Sequence, residues 1–289
     1  AESCEGLSSL GLSHAVSMLV DDHRVLFLTV CFILHSYCMI PNPLEEQDPQ
    51  PVPSESERIQ WPDEAGAALD LIEIPAGYQK RLVAAEPLVR DPVAFGIDED
   101  GRAYICESAR QEDGVEDNRS SAFWLLDDLG LQTVDDRLAM YEKHKDRRHG
   151  GMDYYSAHDD RLARLVDTDG DGILDTRNLF TTGYTAPLDG TLAGVLVEEG
   201  KAWITNIPHL WLATDADDDG VAEQQVSLQR GFCIRIALRG HDMHGLDRGP
   251  VRRTYWSIGG RGYHLTTADG RILADPGAGA VFRCEPDGS

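Results

Sequence analysis

One acidic stretch occurs twice, and that repeat constrains the fold more than anything else in the chain. Arg164–Asp175 reads RLVDTDGDGILD and Leu212–Glu223 reads LATDADDDGVAE, an offset of 215 − 167 = 48 residues. Further along, Leu179–Tyr184 (LFTTGY) is answered by Ser227–Phe232 (SLQRGF) at the same offset. Between and around these copies the chain is cut into short runs rich in Val, Ile, Tyr and Trp: Arg102–Glu107, Leu162–Val166, Gly194–Val197, Ala202–Thr205, Thr254–Ile258 and Ala280–Arg283. Turn residues separate them, as at Asp98–Gly101, Glu198–Gly200 and Asp269–Gly270, the punctuation expected of hairpins.

A period near 48 with four strand candidates per unit is the spacing of propeller blades. The expected fold is therefore all-β: a partial, truncated β-propeller of about three antiparallel four-stranded sheets. Blade one runs Asp91–Gly183, blade two Leu192–Gly231, and blade three starts near His244 and is incomplete at Ser289. One stretch departs from the pattern. Asp127–His149 carries TVDDRLAMYEKHKDRR, which reads as a helix inserted between the second and third strands of blade one. Thr133 is its candidate cap, and Leu138, Met140 and Tyr141 are its apolar positions.

The repeated loops are candidate calcium sites. Asp-x-Asp-x-Asp-Gly-x-x-Asp/Glu offers side-chain oxygens at positions 1, 3, 5 and 9, with Gly at 6 for a sharp turn. The ligand candidates are Asp167, Asp169, Asp171 and Asp175 in one loop and Asp215, Asp217, Asp219 and Glu223 in the other, with Asp218 as a further carboxylate. An EF-hand is excluded, because position 12 is Asn178 or Val226 rather than Glu and the flanks read as strands. The competing reading is a plain acidic turn, since Asp and Gly are ordinary turn residues.

Strand parity separates two faces of such a sheet stack. The acidic loops join third to fourth strands and share a face with the turns at Asp98–Gly101 and Glu198–Gly200. The opposite face collects Glu107–Arg110, Asn206–His209, Gly240–Gly245 and Gly259–His264. His241, Asp242 and His244 are the catalytic candidates there; a neutral His can act as a general base. Arg261, His264, Asn206 and His209 are the cofactor-binding candidates, with Arg261 suited to an anion. The competing reading has these residues merely capping loops.

The N-terminal third is of another kind. Residues 1–40 contain the apolar run Val25–Leu34 (VLFLTVCFIL), which suits a signal-peptide core and is too short to span a bilayer. Met18 is a possible true start; a buried helix or a wrong gene start is the alternative. Cys38 as a lipoprotein cysteine is disfavoured by Leu34–Tyr37 before it. Residues 41–68, with Pro41–Pro62 rich in Pro, Glu, Gln and Ser, read as a disordered linker, leaving 69–289 as the folded segment. The expected location is exported, periplasmic or envelope-associated.

With 50 acidic against 26 basic residues the net charge is −24. Nucleic acid and anionic membrane would repel such a chain, whereas divalent cations suit it. None of the six cysteines forms a Cys-x-x-Cys pair, so the chain holds no Cys-x-x-Cys-His haem motif. Cys106 and Cys284, in strand-like runs, read as small core residues, with a disulfide as the alternative.

Three passages together resemble the N-terminal propeller of the large "membrane-bound dehydrogenase" proteins of planctomycetes and relatives. They are PAGYQKRLVAAEPLVRDPVAFGIDEDGRAYICES, DRLARLVDTDGDGILD, and GHDMHG with YWSIGGRGYHLTTADGR and GAVFRCEPDGS. The resemblance covers roughly 69–289. It implies an oxidoreductase module acting on a sugar or alcohol and passing electrons to a C-terminal haem domain or cytochrome. The passages are also distantly similar to soluble aldose dehydrogenases that use pyrroloquinoline quinone. That similarity implies His244, or His241, as the base beside the quinone. Gly249-Pro250-Val251-Arg252 and Gly260 depart from that pattern, which has Gly-Pro-Asp-Gly and an Asp at these places. The alternative function is a non-catalytic, calcium-stabilised propeller binding a polysaccharide or a protein.

Overall fold

The computed structural model describes residues 63–111, 113–119, 121–236 and 241–289, together with the backbone of 15–21 and 24–30. The linker stretch Pro41–Pro62, Cys38 and the end of the apolar run at 31–34 lie outside the described residues. The chain divides into two compact units, residues 1–90 with 167–176, and residues 91–166 with 177–289.

In the first unit, strands β1 (Ala15–Asp21), β2 (Arg24–Val30) and β3 (Gln79–Ala85) form one antiparallel sheet in the order β2-β1-β3. Helix α1 (Asp63–Asp70) precedes β3 and occupies the end of the stretch expected to be linker. Lys80 explains its termination: the ammonium donates to the carbonyls of Leu69, Asp70 and Ile72 at 2.7, 3.1 and 3.2 Å, satisfying acceptors that a helix C-terminus leaves open. The loop 167–176 belongs to this unit, and Leu174 N–H donates to Val83 O at 2.9 Å.

The second unit is built from antiparallel meanders. Strands β4 (Pro92–Ile97), β5 (Ala103–Glu107), β6 (Asp160–Val166) and β7 (Thr176–Tyr184) form a four-stranded sheet in sequence order. Strands β8 (Leu192–Glu198), β9 (Lys201–Asn206), β10 (His209–Thr214) and β11 (Gln224–Arg230) form a second sheet of the same kind. The two copies of the repeat therefore hold equivalent places, at the third-to-fourth strand hairpin of each sheet. The fourth strands start 224 − 176 = 48 residues apart.

The third sheet departs from the expected blade. Strands β12 (Met243–Arg248) and β13 (Thr254–Ile258) pair, but the third position is filled by β16 (Ala280–Cys284). The hairpin β14 (Tyr263–Thr266) and β15 (Ile272–Asp275) stands apart as a two-stranded sheet. Gly259–His264 is thus the entry to an inserted hairpin, not a short loop between neighbouring strands.

The sheets pack face to face through their apolar sides. Tyr104, Leu162 and Phe180 of the first sheet meet Val195, Ile204 and Ala213 of the second in one buried cluster. Tyr104 and Phe180 stack edge to face at 5.0 Å, a preferred aromatic geometry. Gly96 lets β4 approach β8 closely, because a Cβ there would lie 3.3 Å from Val195 O. A second cluster, with Phe232, Trp256, Ile258 and Leu265, joins the second sheet to the third. Cys106, Cys233 and Cys284 are buried and free, so Cys106 and Cys284 are core residues.

The insertion between β5 and β6 is helical: α2 (Leu125–Gly130) and α3 (Val134–His144) with short 3-10 turns. Thr133 caps α3 in a reciprocal box with Asp136, and Val134, Arg137, Met140 and Tyr141 face inward. These side chains form a third cluster with Trp124, Tyr155 and Ile234. The described chain is thus mostly β, in antiparallel sheets with few helices, and the sheets do not close on one another. No helix among the described residues is long and apolar enough to cross a membrane.

Candidate metal loops and a buried carboxylate centre

Both acidic loops fold back on themselves by the same hydrogen bonds, because the same residues recur at the same positions. In the first loop Asp167 accepts from Gly172 N–H at 2.7 Å, Asp169 from Asp171 N–H at 3.1 Å, and Asp171 from Ile173 N–H at 2.8 Å. In the second, Asp215 accepts from Gly220 N–H at 2.9 Å, Asp217 from Asp219 N–H at 3.3 Å, and Asp219 from Val221 N–H at 2.8 Å. The last acid closes each loop: Asp175 accepts from Thr168 N–H at 3.2 Å and Glu223 from Ala216 N–H at 2.7 Å.

This pattern brings carboxylate oxygens of each loop close together. One oxygen each of Asp215, Asp217, Asp219 and Glu223 lies within 4.8 Å of the others, and the same holds for Asp167, Asp169 and Asp175. Asp171 does not join its cluster, in contrast to its counterpart Asp219. Hard carboxylate oxygens converging at this scale suit calcium.

The two loops differ in burial and in their partners. In the first, Asp167 accepts from two backbone N–H groups, and Asp175 also takes the hydroxyls of Thr168 and Thr176. In the second, the Asp215 side chain is 1% exposed, and its Oδ1 is buried without a hydrogen-bond partner. An orphaned buried carboxylate oxygen is costly unless something cationic meets it. The turn between β8 and β9 holds Asp215 in place. Glu199 and Gly200 both have positive φ, 52° and 70°, as a type I′ hairpin requires. Gly200 O accepts from Asp215 N–H at 2.9 Å, and a Cβ on Gly200 would lie 2.7 Å from Asp215 O.

Asp218 occupies position 4, where the other loop has Gly170; both are left-handed, at φ 62° and 76°. That conformation costs a side-chain residue roughly 1 kcal/mol, and ion pairs offset it. The Asp218 carboxylate meets Arg102 Nη1 at 2.6 Å and Arg164 Nη2 at 3.2 Å, both guanidinium groups coming from the first sheet. Arg164 also lies 3.4 Å from Asp215 Oδ2. The motif spacing marked the clustered acids but not this clamp; its one sequence cue is the mismatch of Asp218 with Gly170.

The second candidate centre lies where β12 begins. Asp242 is buried, and burial pushes its carboxyl up to about 6 against the fields of His244, Arg137, His241 and Arg261. Its Oδ1 and the Nε2 of His244 are buried without hydrogen-bond partners, while His244 Nδ1 sits 3.4 Å from Ala193 O. Of the residues predicted from sequence, His241, Asp242, His244 and Arg261 are therefore brought together. Arg137, from the inserted helix, joins them and was not foreseen, because only the packing of α3 carries it there.

The other predicted cofactor residues serve elsewhere. Asn206 gives its amide to Gly190 O at 2.6 Å. His209 bonds Ser227 at 2.7 Å and packs on the Trp211 ring at 4.5 Å; burial, then Arg230, pushes it down to about 4. His264 lines a cavity of about 730 Å³ with Thr133, Ser227 and Arg230. Arg110, in the first of the loops on that face, is fully buried and donates to the carbonyls of Tyr184, Tyr155 and Ala186.

These residues do not fit a quinone tricarboxylate. Such a ligand needs several cationic donors turned toward it. Arg261 gives Nη1 to Ile236 O at 3.0 Å and Nε to Gly260 O at 3.1 Å. Arg137 gives Nη2 to Leu188 O at 2.9 Å. These donors serve the backbone, while Arg137 Nε is buried without a partner.

Fold and loops together define an all-β protein of antiparallel four-stranded sheets with a repeated acidic hairpin. The chain belongs to the family described as "Domain of unknown function (DUF7133)", whose model matches residues 64–288. No curated protein and no solved structure matches it.

Proposed function

We propose that this chain is a calcium-stabilised β-propeller segment, exported, that serves as a binding module for a polysaccharide or a protein. The observation that carries the reading is Asp215: a buried carboxylate with an orphaned oxygen, inside a four-acid cluster whose loop motif recurs at the blade spacing around a three-acid cluster. The propeller arrangement is supported by the two meanders of identical strand order and by β8 lying against both β4 and β12. Export suits the reading, since extracellular calcium modules work at roughly 10⁻⁴–10⁻³ M. The test is thermal unfolding with calcium and with a chelator. Millimolar calcium should raise the melting temperature by several degrees, magnesium much less. A melting temperature indifferent to calcium sinks the reading.

A second reading, the dehydrogenase, is favoured by the Asp242–His244 pair. A buried carboxyl held near 6 and, two residues on, an unpartnered imidazole nitrogen are the kinds of group that proton transfer uses. In it His244 removes the hydroxyl proton of a sugar or alcohol, and an acceptor takes the hydride. Because Arg261 and Arg137 hold backbone carbonyls, no step is assigned to pyrroloquinoline quinone. Incubation with aldoses or alcohols, calcium and a hydride-accepting dye separates the readings: turnover lost in His244→Ala supports the dehydrogenase, and calcium-dependent melting with no dye reduction supports the binding module.

A further inference from the structure

We propose that the Asp215–Glu223 loop is a calcium-operated staple between the two four-stranded sheets, working through Arg164, and that the Asp167–Asp175 loop has no such role. The inference rests on the calcium reading above. One guanidinium touches both halves of the device. Arg164, on β6 of the first sheet, reaches the ligand Asp215 at 3.4 Å through Nη1 and the non-ligand Asp218 at 3.2 Å through Nη2. Its Nη1 also lies 3.4 Å from Asp218 O. Arg102 holds the same Asp218 carboxylate at 2.6 Å. Asn178 on β7 reaches Asp219 O at 3.5 Å, and Ala222 N–H donates to Phe180 O at 2.8 Å. The loop is thus fastened to the neighbouring sheet along its length.

A divalent ion on Asp215, Asp217, Asp219 and Glu223 takes the charge that Arg164 shares with Asp215. Like charges a few ångströms apart repel, so the ion turns Arg164 wholly toward Asp218. Ion binding and the partner of Arg164 become linked: the ion takes Asp215 from the guanidinium and leaves it on Asp218, which keeps the two sheets stapled while the site is filled. The first loop is held by Arg81 on Asp171 O and by Leu174 N–H on Val83 O, but it offers no carboxylate for a guanidinium to move to, because Gly170 stands where Asp218 stands in the second. Its Asp175 is already committed to two threonine hydroxyls, and Asp167 to two backbone N–H groups. The second loop is the tight site.

Calcium titration calorimetry on the full chain tests this. The wild type should show one tight site, lost in Asp215→Asn and kept in Asp167→Asn. Arg164→Gln removes the competing charge and should tighten calcium about tenfold while lowering the calcium-free melting temperature. Asp218→Gly keeps the left-handed turn and all four ligands, folds without strain, and should weaken calcium several-fold because Arg164 then falls back on Asp215. Two equal sites, or Asp218→Gly and Arg164→Gln both binding as wild type, overturn the staple and leave calcium stabilisation standing. No calcium binding by the wild type overturns both.

Discussion

Asp242 sits in an environment far from what a surface carboxylate meets. Burial lifts its carboxyl from the ordinary 3.8 to about 6, with only partial relief from His244, Arg137, His241 and Arg261. The folded chain therefore holds this proton more tightly than the unfolded chain does. Between about pH 4 and 6 the folded state binds more protons, so the stability from this group is complete below pH 4 and lost as pH rises through 6. Asp160, pushed to about 6 by burial in the same way, contributes with the same sign. Denaturant unfolding of Asp242→Asn in chelator at pH 4.5 and pH 7 should show a smaller fall in stability than the wild type. An unchanged fall would mean that Asp242 is not the group responsible. Sequence placed Asp242 beside two histidines but could not reveal its burial, because that depends on Arg137 and Arg261 arriving from 105 residues upstream (242 − 137) and 19 downstream (261 − 242).

At the scale of elements, hairpins and caps follow local rules that sequence displays openly. Thr133 as a cap predicts the start of α3, and the structure adds Asp136 as its reciprocal partner there. Glu199-Gly200 predicts the β8–β9 turn. What the turn does for the metal loop is tertiary. Gly200→Ala should cost about 1–2 kcal/mol from the left-handed backbone alone, and more from the contact with Asp215 O. Because that carbonyl belongs to the first ligand of the loop, calcium affinity should fall along with stability; calorimetry and melting together read both. A stability loss with unaltered calcium affinity would separate the turn from the site. The third sheet is where element-level reading failed. Gly259–His264 has the composition of a short loop, yet it opens into β14 and β15, and β16 takes their expected place beside β13. The Trp256–Phe282 stack at 5.8 Å and the pairing Trp256↔Phe282 join β13 to β16, contacts between residues 26 apart (282 − 256) that local patterning does not report.

For the whole molecule the governing quantity is charge. A formal −24 over 289 residues makes the chain repel itself. Without calcium, raising sodium chloride from roughly 20 to 300 mM screens that repulsion and should raise the melting temperature. With calcium bound, part of the charge is already neutralised, and the same salt step should give a smaller rise. Equal salt responses in both conditions would show that bound ions do not relieve the repulsion.

By itself the sequence determined the strand-rich character, the recurrence of the acidic hairpin, the capped insertion and most of the acids that cluster in each loop. These depend on contacts within a few residues, where side-chain type and spacing decide the outcome. Tertiary structure decided which histidines meet. It kept His241, Asp242, His244 and Arg261 together and sent His209 and His264 to the Ser227 side, with Asn206 bonded to Gly190 O. It also decided that two loops of one pattern are unequal, because Arg102 and Arg164 reach only one of them from a neighbouring sheet. Burial and long-range charge pairing are properties of packed surfaces, and no local spacing encodes them.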